Sequence, residues 1–195
     1  MKVIGITGGV GCGKSTVLDY LEKHYPCAIV RSDDVGKRVM EPGNKCFEEV
    51  VLIFGDDILT PEGEIDRPKL ASIVFQDPKK RMVLNSIVHP AVRDEIIADL
   101  TKKRIEGRVE YYFLETAILY EVHYDTFCDE VWYIYADEAS RRERLQKQRG
   151  YSNERMTDMM ASQQSEEFFK SHADHVIDNS QSLEETAKQL RLLLA

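Results

Sequence analysis

Short apolar runs, rich in β-branched and aromatic residues, alternate along this chain with segments whose apolar residues recur at helical spacing. The runs are Lys2-Val3-Ile4-Gly5-Ile6-Thr7, Cys27-Ala28-Ile29-Val30, Val109–Leu114, Asp129–Tyr135 and Ala173–Asn179. Each is short and contains strand formers, as expected of buried strands. Thr16 to His24 instead places Val17, Leu18 and Leu21 on one helical face. Near the end, Ser182-x-x-Glu185 opens a helix with Leu183, Ala187, Leu190 and Leu194 on one side. Strands alternating with helices predict an α/β fold, a five-stranded parallel sheet flanked by helices.

Residues 35–105 break that alternation. No strand pattern occurs there. Helical spacing recurs in Cys46–Phe54 and Leu70–Phe75, and a long helical stretch runs from Pro78 to about Arg104. Asp77-Pro78 is a start signal, with Asp as cap and Pro in the first turn. Pro90 falls inside, so a kink or break near His89 is expected. Pro42-Gly43 and Thr60-Pro61-Glu62-Gly63 mark turns. The segment reads as a helical insertion beside the core. Arg81, Asn85, His89 and Arg93 recur every fourth residue within it. On a continuous helix they share a face, either an anion-binding stripe or a solvated surface.

The link between the first strand and helix carries the chemistry. Gly8-Gly9-Val10-Gly11-Cys12-Gly13-Lys14-Ser15 fits G-x-x-x-x-G-K-[ST], the phosphate-loop pattern. Strand, glycine loop and helix N-terminus in that order form an anion site, because backbone N–H groups and the positive dipole end converge there. Gly11, Cys12, Gly13, Lys14, Ser15 and Thr16 would hold the phosphates of a nucleotide. Lys14 would reach the terminal phosphates and the Ser15 hydroxyl would ligate Mg²⁺.

Further candidates follow the strands. Asp33 and Asp34 come just after the second strand, where open parallel sheets gather ligands. A carboxylate there serves as a base toward a hydroxyl or binds Mg²⁺ through water; its alternative role is a helix cap. The third strand ends in Glu115, resembling a loose Walker B. Asp137 is a candidate cap for the next helix, with Ser140-x-x-Glu143 as the alternative. That helix carries Arg141, Arg142, Arg144, Lys147 and Arg149. In an acidic chain such a cluster reads as a lid over a transferring phosphoryl group, or else as a solvated helix face.

Composition narrows the classes. The 195 residues carry a net charge of −8, with 31% charged and 43% hydrophobic residues. That excludes a general nucleic-acid or membrane-surface binder. No apolar run is long enough to span a bilayer, and a chain opening directly on a strand is expected to lack a signal peptide. The four cysteines lie apart with no C-x-x-C pair, so reduced thiols and a cytoplasmic location are expected.

Several stretches beyond the phosphate loop resemble the dephospho-CoA kinase family: Ile4–Gly9, Ser32-Asp33 with Glu41-Pro42-Gly43, Phe54–Leu59, Ile65-Asp66-Arg67, Val74-Phe75 with Asp77-Pro78, Leu84–Pro90 and Ala173–Asn179. The resemblance covers nearly the whole chain. It implies a P-loop NTPase fold whose core is 1–34, 106–137 and 173–195, with a helical CoA-substrate domain at 35–105 and a lid at 138–172. It implies ATP-dependent phosphorylation of the ribose 3′-hydroxyl of dephospho-CoA, with Mg²⁺. Asp33 matches the family's proposed base. Arg149 matches its lid arginine, with Arg144 as neighbouring candidate. Arg81, His89 and Arg93 become candidate substrate contacts. Two departures stand out: Arg31-Ser32-Asp33 replaces a D-A-D pattern, and Arg149-Gly150 replaces an R-D pair. A kinase for another nucleoside or nucleotide, or a regulatory ATPase, are the competing readings.

Overall fold

The computed structural model describes all 195 residues. The chain divides into two compact units, one formed by Met1–Val30 with Glu106–Ala195, the other by Arg31–Ile105.

The first unit is built on a five-stranded sheet. Its strands are β1 (Lys2–Thr7), β2 (Cys27–Arg31), β3 (Tyr111–Glu115), β4 (Glu130–Tyr135) and β5 (His175–Asp178), in the order β2-β3-β1-β4-β5. β1 pairs in parallel with β3 on one side and β4 on the other, and β4 pairs in parallel with β5. From Val3 to Thr7 every residue of β1 is buried, which explains its unbroken apolar run. The chain leaves β1 toward one edge and later crosses to the other. The carboxyl end of β1 is therefore a topological switch point, where such sheets open a crevice.

Alternation along the strands builds two packing layers. Ile4, Ile6, Phe113, Trp132, Ile134 and Ile177 form one buried cluster with Val17, Leu18 and Leu21 of α1 (Lys14–His24) and Leu190. Leu190 lies on α9 (Leu183–Leu193), which Ser182 caps by accepting from the Glu185 N–H. On the other face Tyr133 stacks on Phe169, ring centroids 4.9 Å apart. Phe169 belongs to α8 (Glu166–His172), a short helix capped by Ser165 that periodicity alone does not announce.

The second unit is helical: α2 (Ser32–Val39), α3 (Lys45–Phe54), α4 (Arg67–Gln76) and α5 (Pro78–Glu106). Two expectations are corrected here. Pro90 does not break α5, which runs on as one 29-residue helix. Nor does either aspartate cap α2: Arg31 occupies the cap position, and Asp33 and Asp34 lie in the first turn. Acidic residues there favour the positive dipole end without a capping bond. Between β4 and β5 run α6 (Glu138–Arg149) and α7 (Asn153–Ala161). Asp137 caps α6, accepting from the Ser140 N–H at 2.9 Å and its hydroxyl at 2.8 Å, so the expected cap holds and the Ser140–Glu143 alternative does not form.

Two measurements test this packing. Leu18→Ala, at a site with no exposed surface, is expected to lower the free energy of unfolding by about 2–5 kcal/mol in urea titrations; a loss well under that would mean α1 does not close this layer. Burial pushes the His89 imidazole below its ordinary 6.5. The unfolded chain then binds the proton first, so stability is held above pH 6.5 and falls as the pH drops below it. His89→Asn is expected to flatten the slope of unfolding free energy against pH between about 7.5 and 5.5; identical slopes would contradict the assignment.

Candidate active site

β1 ends at Thr7 and the chain turns through Gly8–Gly13 into α1. Gly13 caps that helix at φ 88°, ψ 30°, with no capping side chain and no acid in the first turn. The first N–H groups of α1 have no acceptor within the helix, and its own first turn adds no negative charge to the positive dipole end. The glycine is required at 13: a Cβ there would adopt left-handed backbone and lie 2.2 Å from Asn179 Nδ2. Ser15 and Thr16 are exposed at this opening. Lys14 Nζ donates to the Gly8 carbonyl at 2.8 Å and lies 3.7 Å from Glu115 Oε1. Its side chain thus folds back over the loop. Glu115 ends β3 in register with Ile6 of β1. Cys12 is buried; burial pushes its thiol up, which keeps it neutral and suits it to filling space.

The rear of the loop is held by residues far away in sequence. Asn179 Nδ2 donates to the Cys12 carbonyl at 2.8 Å. The Thr186 hydroxyl, on α9, donates to Asn179 Oδ1 at 2.9 Å and fixes which way the amide faces. Arg144 donates to the same Cys12 carbonyl at 3.3 Å and to the Asn179 carbonyl at 2.6 Å. All these groups are buried or half-buried, so each polar atom finds a partner.

The basic cluster of α6 therefore divides by task. Arg144 grips loop backbone. Arg141 also reaches the loop, donating from Nε to the Val10 carbonyl at 2.8 Å. Arg142 pairs with Glu138 and Lys147 with Glu143 along the helix. Arg149 is exposed at the end of α6, beside left-handed Gly150, with its guanidinium 5.9 Å from the Tyr151 ring centre. Its hydrogen bond is the main cause holding the Tyr151 phenol below the usual range.

In the helical unit the two aspartates of α2 differ. Asp34 pairs with Lys37 at 2.7 Å, a bond that holds its carboxyl below the usual range. Asp33 is exposed in the same turn, two residues beyond β2. Since α5 is continuous, Arg81, Asn85, His89 and Arg93 do share a helix face; the arginines are exposed and His89 is half-buried. Its lowered affinity for protons makes His89 a neutral hydrogen-bonding group near pH 7. An apolar cavity of about 250 Å³ also opens in this unit, lined by Ile53, Phe54, Ile73, Val83, Lys79 and Lys80.

Sequence patterns gave no role to Asn179, Thr186 or Gln163. Asn179 meets Cys12 only through the tertiary fold, from 167 residues away, and Thr186 acts on the loop through Asn179. The one local signal was polar: a buried Asn at the end of a strand must bond to something.

The dephospho-CoA kinase family profile matches residues 2–185. A protein of Oceanobacillus iheyensis named dephospho-CoA kinase is 41% identical over 191 residues, covering 96% of this chain and 94% of the relative. Among solved structures, that of TT1252 from Thermus thermophilus aligns with a TM-score of 0.80 at 28% identity, over 99% of this chain and 96% of that one. Dephospho-CoA kinase from Campylobacter jejuni shares the fold, with a TM-score of 0.72 at 24% identity over 99% and 98%. The phosphate loop, the five-stranded sheet that carries it and a family match along nearly the whole length agree: this chain belongs to the dephospho-CoA kinase family.

Proposed function

We propose that this chain transfers the γ-phosphoryl group of ATP to the ribose 3′-hydroxyl of dephospho-CoA, giving coenzyme A as the last step of its synthesis. The observation that carries the reading is the open phosphate loop at the head of α1, with Lys14 folded over it, in a chain of this family. Four free cysteines suit a reducing, cytoplasmic setting.

The loop's N–H groups and Lys14 hold the nucleotide phosphates. The Lys14 ammonium has three N–H donors, so it reaches phosphate oxygens while one of them stays on the Gly8 carbonyl. Mg²⁺ characteristically keeps several waters and binds through few protein groups plus substrate phosphates, so the exposed Ser15 hydroxyl fits it, with Glu115 beside Lys14 as a carboxylate for its water shell, and it would neutralise charge on the transferring group. Asp33, exposed and outside the Asp34–Lys37 pair, accepts the proton of the acceptor hydroxyl. Arg149 supplies lid charge: it is exposed and its one partner is the neighbouring Tyr151, whereas Arg144 is occupied by two loop-region carbonyls. The helical unit takes the rest of the acceptor, with Arg81, His89 and Arg93 as polar contacts. Its cavity of apolar walls and two lysines suits a ligand both greasy and anionic. Positioning and charge neutralisation do most of the work, since the transition state is loose.

The assay is ADP release with ATP and Mg²⁺ against dephospho-CoA, adenosine and AMP. Release that depends on dephospho-CoA, with the product phosphorylated at the 3′ position, is the expected result; release that ignores it overturns the reading. Lys14→Ala is expected to remove activity, and near-wild-type turnover would refute the loop's role. Asp33→Asn is expected to lower kcat by about 10²–10⁴-fold with little change in KM; an unchanged kcat would leave Asp33 only its place in the first turn of α2.

A further inference from the structure

The apex of the phosphate loop is gripped by a residue that neither the motif nor the mechanism uses. Gln163 sits just past α7, on the linker to α8, and is half-buried. Its Oε1 accepts from the Val10 N–H at 3.0 Å and from Arg141 Nη2 at 3.2 Å. Arg141 Nε in turn donates to the Val10 carbonyl at 2.8 Å. Both backbone polar groups of Val10 are therefore taken by side chains, and those side chains are bonded to each other.

The same geometry explains Gly9. The loop pattern leaves that position open to any residue, and Gly9 lies outside the left-handed region. Yet a Cβ at Gly9 would lie 2.6 Å from Arg141 Nη2 and 3.0 Å from Gln163 Oε1. The clasp passes directly over Gly9, so a side chain there would push Arg141 and Gln163 aside.

We propose that Gln163 is a positioning residue for the phosphate loop, and that it couples nucleotide binding to the order of the α7–α8 linker. Val10 presents its neighbours in a fixed orientation only while both its N–H and its carbonyl are held. A nucleotide that selects that loop conformation stabilises the linker, and by linkage an ordered linker raises nucleotide affinity. The proposal rests on the nucleotide reading of the loop but not on the identity of the acceptor.

All bonds to Gln163 in the clasp use its oxygen as acceptor, which sets the test. ADP binding to the full chain is measured by calorimetry. Gln163→Leu keeps the shape but not the acceptor, and is expected to weaken ADP about three- to tenfold. Gln163→Glu keeps the acceptor and is expected to stay within about twofold of wild type. Gly9→Ala should mimic Gln163→Leu, and the double variant should bind ADP no worse than either single one, as groups in one unit do. Hydrogen exchange in residues 160–168 should slow when ADP binds wild type, and not in Gln163→Leu. Wild-type affinity in Gln163→Leu, equal losses in the Glu and Leu variants, or additive losses in the double variant would overturn the proposal. Failure of the wild-type chain to bind ADP at all would instead remove the nucleotide reading on which it stands.

Discussion

A loop that points its N–H groups at an anion must turn its carbonyls elsewhere, and each of those carbonyls needs a donor. Much of the first unit answers that requirement. The Gly8 carbonyl takes Lys14, the Val10 carbonyl takes Arg141, and the Cys12 carbonyl takes Asn179 and Arg144. These donors come from α1, from α6 and from the end of β5. The sheet and its helices are thus the frame that brings distant donors to one short stretch of backbone.

The frame is rigid where it has to be. β1 is buried from Val3 onward between β3 and β4, so the loop starts from a fixed point. α1 packs Val17, Leu18 and Leu21 into the main cluster, so the loop also ends at one. Between them the glycines accept backbone angles and close approaches that a side chain would block. Exposed charge sits apart from this frame. Arg149 lies exposed at the end of α6, where a left-handed glycine follows, while Arg141 and Arg144 on the same helix are held by carbonyls. Arginines of one helix thus face different surroundings: two are bonded to loop carbonyls and one lies in the open.

Local physics made part of this readable in advance. A buried parallel strand is a continuous apolar run, which made β1 plain; the other four strands were legible from β-branched and aromatic residues, with edges off by a residue or two. The phosphate loop was legible because its chemistry is local: glycines, a lysine and a hydroxyl must be contiguous. Asp137 and Ser182 were legible as caps for the same reason. Three features were not. Pro90 predicts a kink or a break, and the break does not occur: α5 continues past it. α8 is short, and its Phe169 is placed by stacking on Tyr133 rather than by any repeat. The grips of Asn179 and Gln163 on the loop span most of the chain, and no spacing rule encodes a contact between residues 12 and 179. Within the basic cluster, sequence could not separate Arg144 from Arg149; that division depends on which carbonyls lie within reach.

These side-chain grips on Val10 and Cys12 predict a phosphate loop already formed before nucleotide arrives. Residue-resolved amide exchange on the nucleotide-free protein tests it most directly. The Val10 N–H is bonded to Gln163 and the Cys12 N–H to the Gly9 carbonyl, so both are predicted to exchange far more slowly than in an unstructured peptide, with ADP adding protection mainly at Lys14, Ser15 and Thr16. Exchange at Val10 and Cys12 as fast as in an open chain, slowed only once nucleotide is bound, would show that the ligand folds the loop and would contradict the account.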